Sequence, residues 1–243
     1  MKELNYLNQR FMPSADGWEG TVRLRRVREA KERMLAGRAE PRLRASWHRA
    51  VEACDHEHLD DTAYCRIFEC AEPGLVCGEV SPEYALLPPE AVRHVARLNP
   101  ALRILMILRD PLQRALSHIS MAFRDGTIGD PSRGVSAELV SGAIARSDYP
   151  AAIERWRAAF PASAVHLLSY EQLRDEPLAL LERACHALGA CPDTSVFGNS
   201  SRIVFRGEPA EIHPDAVARI AKALGPTYER MREIAPEIAS RWS

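Results

Sequence analysis

Lysine is scarce in this chain of 243 residues, whose cations are almost all arginine. Only Lys2, Lys31 and Lys222 are present, and no glycine in the sequence is followed by a lysine. A Walker A loop needs that dipeptide to grip phosphates, so the sequence contains no such motif. A phosphotransferase of the P-loop kinase type is therefore disfavoured. The arginine bias is typical of a GC-rich genome and indicates a bacterial source.

Long apolar runs are also absent. No stretch reaches the roughly 20 residues that span a membrane, and no basic-then-apolar signal segment opens the sequence. The formal charge of −1 gives no reason to expect a nucleic-acid partner. With 46% hydrophobic residues the chain can bury one substantial core. We expect a cytoplasmic protein whose residues 1–243 form a single domain.

Metal-binding patterns are not found among the six cysteines. In a cytosolic protein such cysteines are expected to be free thiols. Cys54, His56, His58 and Cys65 lie close together in the sequence, but their spacing matches no standard zinc pattern. No metal cofactor is predicted.

The most informative stretch is a strand, a turn and a helix between Leu102 and Ile119. Residues 102–108 form an apolar run of strand length, as in a parallel strand covered on both faces. Arg109 follows the run, and Asp110 and Pro111 are a typical helix N-cap and first helical residue. In open α/β sheets, anionic ligands bind at this edge because the helix amides and dipole attract negative charge. The pattern predicts an anion site.

This stretch, RDPLQRALSH, resembles the 3′-phosphate-binding motif of the sulfotransferases that use 3′-phosphoadenosine 5′-phosphosulfate (PAPS). The resemblance extends over essentially the whole chain apart from a basic segment at residues 20–62. It implies that Arg109 and Ser117 hold the 3′-phosphate of this co-substrate. A guanidinium can bind a phosphate bidentately, and a hydroxyl two helical turns further on adds a neutral donor. The implied fold is an α/β, P-loop-like sulfotransferase fold with helices around a parallel sheet.

The opening segment, KELNYLNQRF, resembles a part of heparan-type sulfotransferases that follows their first strand, phosphosulfate loop and first helix. Glu3 takes the position of the proposed catalytic base. The resemblance therefore implies that the first strand and the loop are missing, through a late gene start or a natural fragment. From this we expect the chain as given to be poorly soluble or loosely packed, and to show no measurable sulfuryl transfer.

The basic segment at residues 20–62 is predicted to be helical. Between Arg23 and Arg49 it carries nine arginines and one lysine against three glutamates. Acidic residues follow at once and can pair with these cations, so a solvated helical hairpin is one interpretation. The other is a positive wall that attracts an anionic acceptor.

Three further stretches resemble the same family. GEVSPEY matches a family signature at Ser81, Pro82 and Tyr84, with Val80 where many heparan-type members carry lysine. Leu75 to Cys77 before it are predicted to form a short buried strand. AVHLLSYEQL predicts a second strand at residues 164–169 and a structural turn. After residue 200, Arg206 and Gly207 are the counterparts of a loop that covers the 3′-phosphate, with Arg202 as a second candidate.

The implied function is transfer of a sulfuryl group from PAPS to a hydroxyl or amine of an acceptor, such as a carbohydrate or another anionic molecule. Glu3 is the implied catalytic base, and Arg109, Ser117, Arg206 and Gly207 bind the nucleotide. The alternative is a truncated, non-catalytic nucleotide-binding module.

Overall fold

A computed structural model describes residues 3–14, 18–36, 44–55, 59–71, 73–193, 197–198 and 207–242. The chain divides into two compact units, Met1–Asn99 and Pro100–Ser243. Within the described residues, no helix is both long and apolar enough to cross a membrane.

The described part of the first unit is helical. Its helices are α1 (Tyr6–Phe11), α2 (Trp18–Leu35), α3 (Arg44–Ala53), α4 (Asp61–Glu69) and α5 (Pro89–Leu98), with a 3₁₀ turn at Pro82–Leu86. The apolar faces of α2, α3 and α4 meet in a core that includes Val27, Val51 and Ile67. The basic segment contributes α2 and α3, and Lys31 forms an ion pair with Asp55 beyond α3.

Hydrogen bonds to the Asp61 carboxylate hold α1 in place. The Tyr6 hydroxyl donates a hydrogen bond to Asp61 Oδ1 at 2.5 Å, and His94 Nε2 lies 2.7 Å from the same oxygen. Burial together with the bond to Asp61 raises the pKa of Tyr6 to about 12. Three elements, α1, α4 and α5, are therefore joined at one carboxylate.

The second unit is built on two parallel strands, β1 (Ile104–Leu108) and β2 (Val165–Ser169). Their register pairs Ile104 with Val165 and Leu108 with Ser169, so both strands end at the same edge. The helices are α6 (Pro111–Arg124), α7 (Ala137–Ala145), α8 (Tyr149–Arg157), α9 (Tyr170–Asp175), α10 (Pro177–Leu188), α11 (Pro214–Ile234) and α12 (Pro236–Ala239), with 3₁₀ turns at Pro131–Arg133 and Ala162–Ala164.

Two apolar clusters hold these helices in place. One joins α6, α7 and α11 through fully buried residues such as Ile119, Ala143 and Ile220. The other packs Leu108 and Ile153 against Met231. Together they fix the start of α6 relative to the end of β1, which is where the anion site is predicted.

The predicted strand at Leu75 to Cys77 is not found. These residues have no strand structure, and Leu75 and Val76 are half exposed, at 50% and 54%. A strand needs a neighbouring backbone to pair with. Among the described residues, the only such backbone bond in this region runs from the Glu3 amide to the Val80 carbonyl, at 2.8 Å.

Candidate active site

Arg109 lies where the sequence predicts it, directly after β1 at the carboxyl edge of the sheet. Because Leu108 is paired with Ser169, the next residues of the two strands, Arg109 and Tyr170, are brought side by side. The Arg109 guanidinium carbon lies 5.0 Å from the centre of the Tyr170 ring, a cation–π distance. No ion pair joins this guanidinium to a carboxylate in the described residues, so its charge is available to an anion.

The N-terminus of α6 is already capped. Asp110 Oδ1 accepts a hydrogen bond from the Gln113 amide at 2.8 Å, and the Leu112 amide donates to the Tyr228 hydroxyl at 3.2 Å. That hydroxyl in turn donates to Asp110 Oδ2 at 2.8 Å. The capping prediction is thus confirmed, but the first amides of α6 are not free for an anion. A phosphate at this turn could therefore bind to the Arg109 side chain and to groups further along α6, but not to these capped amides.

Two buried side chains, those of Glu171 and Tyr149, hold the backbone of the turn that carries Arg109. Glu171 is 8% exposed, and its Oε1 accepts a hydrogen bond from the Asp110 amide at 2.9 Å. Its Oε2 accepts one from the Ser169 hydroxyl at 2.8 Å, which ties the ends of both strands together. The Tyr149 hydroxyl bonds to the Arg109 backbone, and burial raises the pKa of this phenol, which therefore stays neutral. The turn that carries Arg109 is held on both sides.

Ser117 lies on α6 and is partly exposed. Its hydroxyl has no hydrogen-bond partner among the residues that the structure describes. Ser120 and Arg124 follow it by three and seven positions, so the three side chains share one face of the helix. This face can therefore present a hydroxyl and a guanidinium to the same ligand.

Gly207 packs against the same face. The Arg124 guanidinium donates to the Glu208 carbonyl at 2.8 Å, and the Ala210 amide donates to Ser120 Oγ at 3.1 Å. A Cβ atom on Gly207 would lie only 2.9 Å from Arg124 Nη2, so a larger residue at this position would have to displace the Arg124 guanidinium. The structure thus brings Gly207 to the helix of Ser117, whereas Arg202 and Arg206 lie outside the described residues.

Glu3 belongs to the first unit, and its Oε2 is held by Arg26. The Nη2 and Nε atoms of Arg26 donate to this oxygen at 2.7 and 2.9 Å, and Arg26 Nη1 also contacts Glu29 at 3.0 Å. The Glu3 backbone has a positive φ of 59°, which is uncommon outside glycine. The segment is therefore held in a defined conformation by its bond to Val80 and by Arg26.

A second carboxylate belongs to Glu79, the residue before Val80, whose carbonyl accepts a hydrogen bond from the Glu3 amide. Tyr64 donates a hydrogen bond to Glu79 Oε1 at 2.5 Å, Ser81 donates to Oε2 at 3.2 Å, and Tyr84 also bonds to the carboxylate. Burial raises the pKa of the Glu79 carboxyl, although the three hydroxyl bonds oppose this. The Tyr84 hydroxyl further accepts the Leu7 amide at 3.4 Å, so the network reaches the segment that carries Glu3.

No group of three or more histidine, cysteine, aspartate or glutamate side chains is placed to hold a metal ion in the described residues. Among the four residues whose spacing matches no standard zinc pattern, Cys54 is buried and Cys65 is half-buried, and both are free thiols. His56 and His58 lie outside the described residues.

Three residues near Arg109 or on the helix that follows it are not predicted as site residues by the sequence. The sequence pattern predicts that Tyr170 belongs to a structural turn, and the strand pairing also places it beside Arg109. Tyr228 lies more than a hundred residues after the cap that it completes, so no local pattern reveals it. The sequence does offer a signal for Arg124, because this residue lies seven positions, or about two helical turns, after Ser117 on the same predicted helix.

The fold and the site together define an α/β protein with a cationic strand-to-helix turn suited to an anionic ligand. The model of the sulfotransferase family matches residues 2–192. The structure is also similar to a crystal structure of a sulfotransferase from Alicyclobacillus acidocaldarius, with a TM-score of 0.57 and 21% sequence identity. That match covers 75% of this chain and 74% of the other. The chain belongs to the sulfotransferase family and has its α/β fold.

Proposed function

We propose that this sulfotransferase uses PAPS as its donor and binds the 3′-phosphate through Arg109 and Ser117. The observation that carries the proposal is the Arg109 guanidinium, which lies at the end of two paired strands without a carboxylate partner in the described residues. Such a group can form strong bonds with a phosphate dianion. Gly207 at the Arg124 end of the same helix supports a loop that covers the ligand. Arg206 is proposed as the covering cation.

The proposed reaction is an in-line transfer to a hydroxyl or amine of the acceptor. A bond forms between the acceptor oxygen or nitrogen and sulfur, while the bond from sulfur to the phosphate oxygen breaks. Glu3 takes the acceptor's proton, and 3′-phosphoadenosine 5′-phosphate (PAP) leaves. A base must lie within hydrogen-bond reach of that proton, and Glu3 is held in one conformation by Arg26 and Val80.

The acceptor is proposed to be a carbohydrate or another anionic molecule. Arg25 and Arg28 on α2 are exposed, unlike Arg26, which is paired with Glu3 and Glu29. Exposed cations on one helix can attract an anionic acceptor over a distance of about a Debye length. A cytoplasmic location stays a prediction.

The alternative function is nucleotide binding without catalysis, and the absence of a Gly-Lys dipeptide from the 243 residues favours it. A lysine and loop amides normally meet the charge that develops on the leaving phosphate. Incubation with PAPS and a set of carbohydrate acceptors, followed by measurement of PAP release, distinguishes the two. Acceptor-dependent release supports the transferase, whereas PAP binding without release supports the binding module.

Ser117→Ala is expected to weaken PAP binding by about 1 kcal/mol, because one neutral hydrogen bond to the 3′-phosphate is lost. Calorimetric titration with PAP measures the change. Ser141→Ala, at an exposed position of α7, is the matched control and should bind as the wild type does. An unchanged PAP affinity in Ser117→Ala would remove Ser117 from the site.

A further inference from the structure

A cavity in the Pro100–Ser243 unit has a lining that does not include the turn that carries Arg109. Its volume is about 450 Å³, within the range typical of ligand sites. One wall is made by four successive residues of β2, from Val165 to Leu168. Successive residues of a strand point to opposite faces of the sheet, so a cavity lined by all four lies along the edge of the strand. The end of α8, the last turns of α10 and the junction of α11 with α12 form the other walls.

The β2 wall offers unpaired backbone groups. In the described part of the chain the sheet has two strands, so β2 is paired with β1 along one edge alone. No backbone or side-chain hydrogen bond from another described residue reaches the outer edge of residues 165–168. A free strand edge carries amide donors and carbonyl acceptors in alternation, which matches another extended backbone.

The rim of the cavity carries uncompensated positive charge. Arg157 forms no ion pair with a described carboxylate, and Arg183 donates to the neutral Gln172 side chain at 2.8 Å. Glu237 is the one acidic residue among the described residues that line the cavity. Carboxylates on a ligand would therefore find two guanidinium groups with free bonding capacity.

His166 adds a polar group that lacks a partner. Its Nε2 atom is buried and has no hydrogen bond in the described structure. His166 also lines the cavity, so its imidazole belongs to the wall on which a ligand would lie. The side chain projects from the same strand whose edge is open.

We propose that this cavity binds an extended peptide segment with acidic side chains, which pairs with the outer edge of β2 as a third strand. The alternating edge selects a peptide backbone over a simple anion, because carbonyl groups would repel a phosphate. Arg157 and Arg183 select acidic side chains by charge complementarity. The site is independent of the PAPS site and does not depend on the proposed reaction.

The test is fluorescence anisotropy with the whole chain and a labelled peptide that alternates valine with glutamate. Two matched peptides replace glutamate by lysine, or replace alternate residues by proline to remove amide donors. The acidic peptide should bind, and both matched peptides should bind at least about tenfold more weakly. Inorganic phosphate at equal ionic strength should not displace the acidic peptide.

The double variant Arg157→Glu and Arg183→Glu should lose about tenfold in affinity for the acidic peptide. Arg219→Glu with Arg232→Glu, on exposed positions of α11 outside the cavity, makes the same charge change and should bind normally. Circular dichroism checks that all variants are folded. Equal binding of the proline peptide, displacement by phosphate, or equal losses in both double variants would overturn the proposal.

Discussion

Glu79→Ala is expected to lower the free energy of unfolding by about 3 kcal/mol, since three hydroxyl groups each lose a bond worth about 1 kcal/mol. The hydroxyls belong to Tyr64, Ser81 and Tyr84, which surround the carboxylate. Denaturant unfolding followed by circular dichroism measures the loss. The Tyr84 hydroxyl also accepts the Leu7 amide, so the damage should extend to α1.

Glu79→Gln is the matched control, because an amide oxygen can still accept hydrogen bonds and no charge is buried. It should cost far less than alanine. If glutamine and alanine destabilise the protein equally, the hydroxyl network is not what stabilises this region.

The same pair of proteins gives a pH prediction. Burial raises the pKa of Glu79 in the folded protein above its unfolded value, so the folded state binds the proton more tightly. The stability contributed by this group is therefore fully present below the unfolded pKa of about 4.3 and is lost as pH rises through the folded pKa. As the pH is lowered from about 7 to about 5, the free energy of unfolding of the wild type should increase relative to that of Glu79→Gln. A constant difference across this range would contradict the raised pKa.

Glu3→Gln is expected to lower kcat by about 10²-fold or more in a preparation with measurable sulfuryl transfer, because a general base contributes at least that much. The PAP affinity should not change, since the proposed nucleotide contacts lie on other residues. Steady-state kinetics with PAPS, together with calorimetry, separates the two effects.

Glu29→Gln is a close control for this variant, because Glu29 shares Arg26 with Glu3 and is not proposed to touch the acceptor. It removes a comparable ion pair and should leave kcat within a few-fold of the wild type. Equal losses in the two variants would show that the ion pairs with Arg26 matter and that Glu3 is not the base.

The local parts of this fold follow from the sequence because they depend on neighbours in the chain. The run before Arg109, the Asp110 cap and the strand that ends at Ser169 all lie within two residues of their predicted bounds. Gly189, with φ of 74°, ends α10, and a glycine in this left-handed conformation is a common local stop signal for a helix. Each of these features is set by side chains within one or two helical turns.

Contacts between residues that are distant in the sequence could not be predicted in the same way. One of the first amides of α6 donates a hydrogen bond to Tyr228, which also bonds to the cap residue Asp110 and belongs to α11. Leu75 to Cys77 have strand-like composition, yet strand formation requires a partner backbone that the pattern of one segment does not specify. The pairing of Arg26 with Glu3 likewise joins residues from separate elements.

The central claim is that Arg109 recognises the 3′-phosphate of the donor, and a calorimetric comparison of two nucleotides tests it most directly. PAP and adenosine 5′-phosphate differ by the 3′-phosphate alone. Arg103→Ala, just before β1 where Arg103 bonds to the Ala187 carbonyl, is the control at the other end of the strand.

Arg109→Ala should weaken PAP binding by about 2 kcal/mol or more, roughly 30-fold, because a charge-assisted contact is lost. Adenosine 5′-phosphate should bind equally well to the wild type, Arg109→Ala and Arg103→Ala. Equal losses for both nucleotides in Arg109→Ala, or no loss for either, would contradict the assignment of Arg109 to the 3′-phosphate.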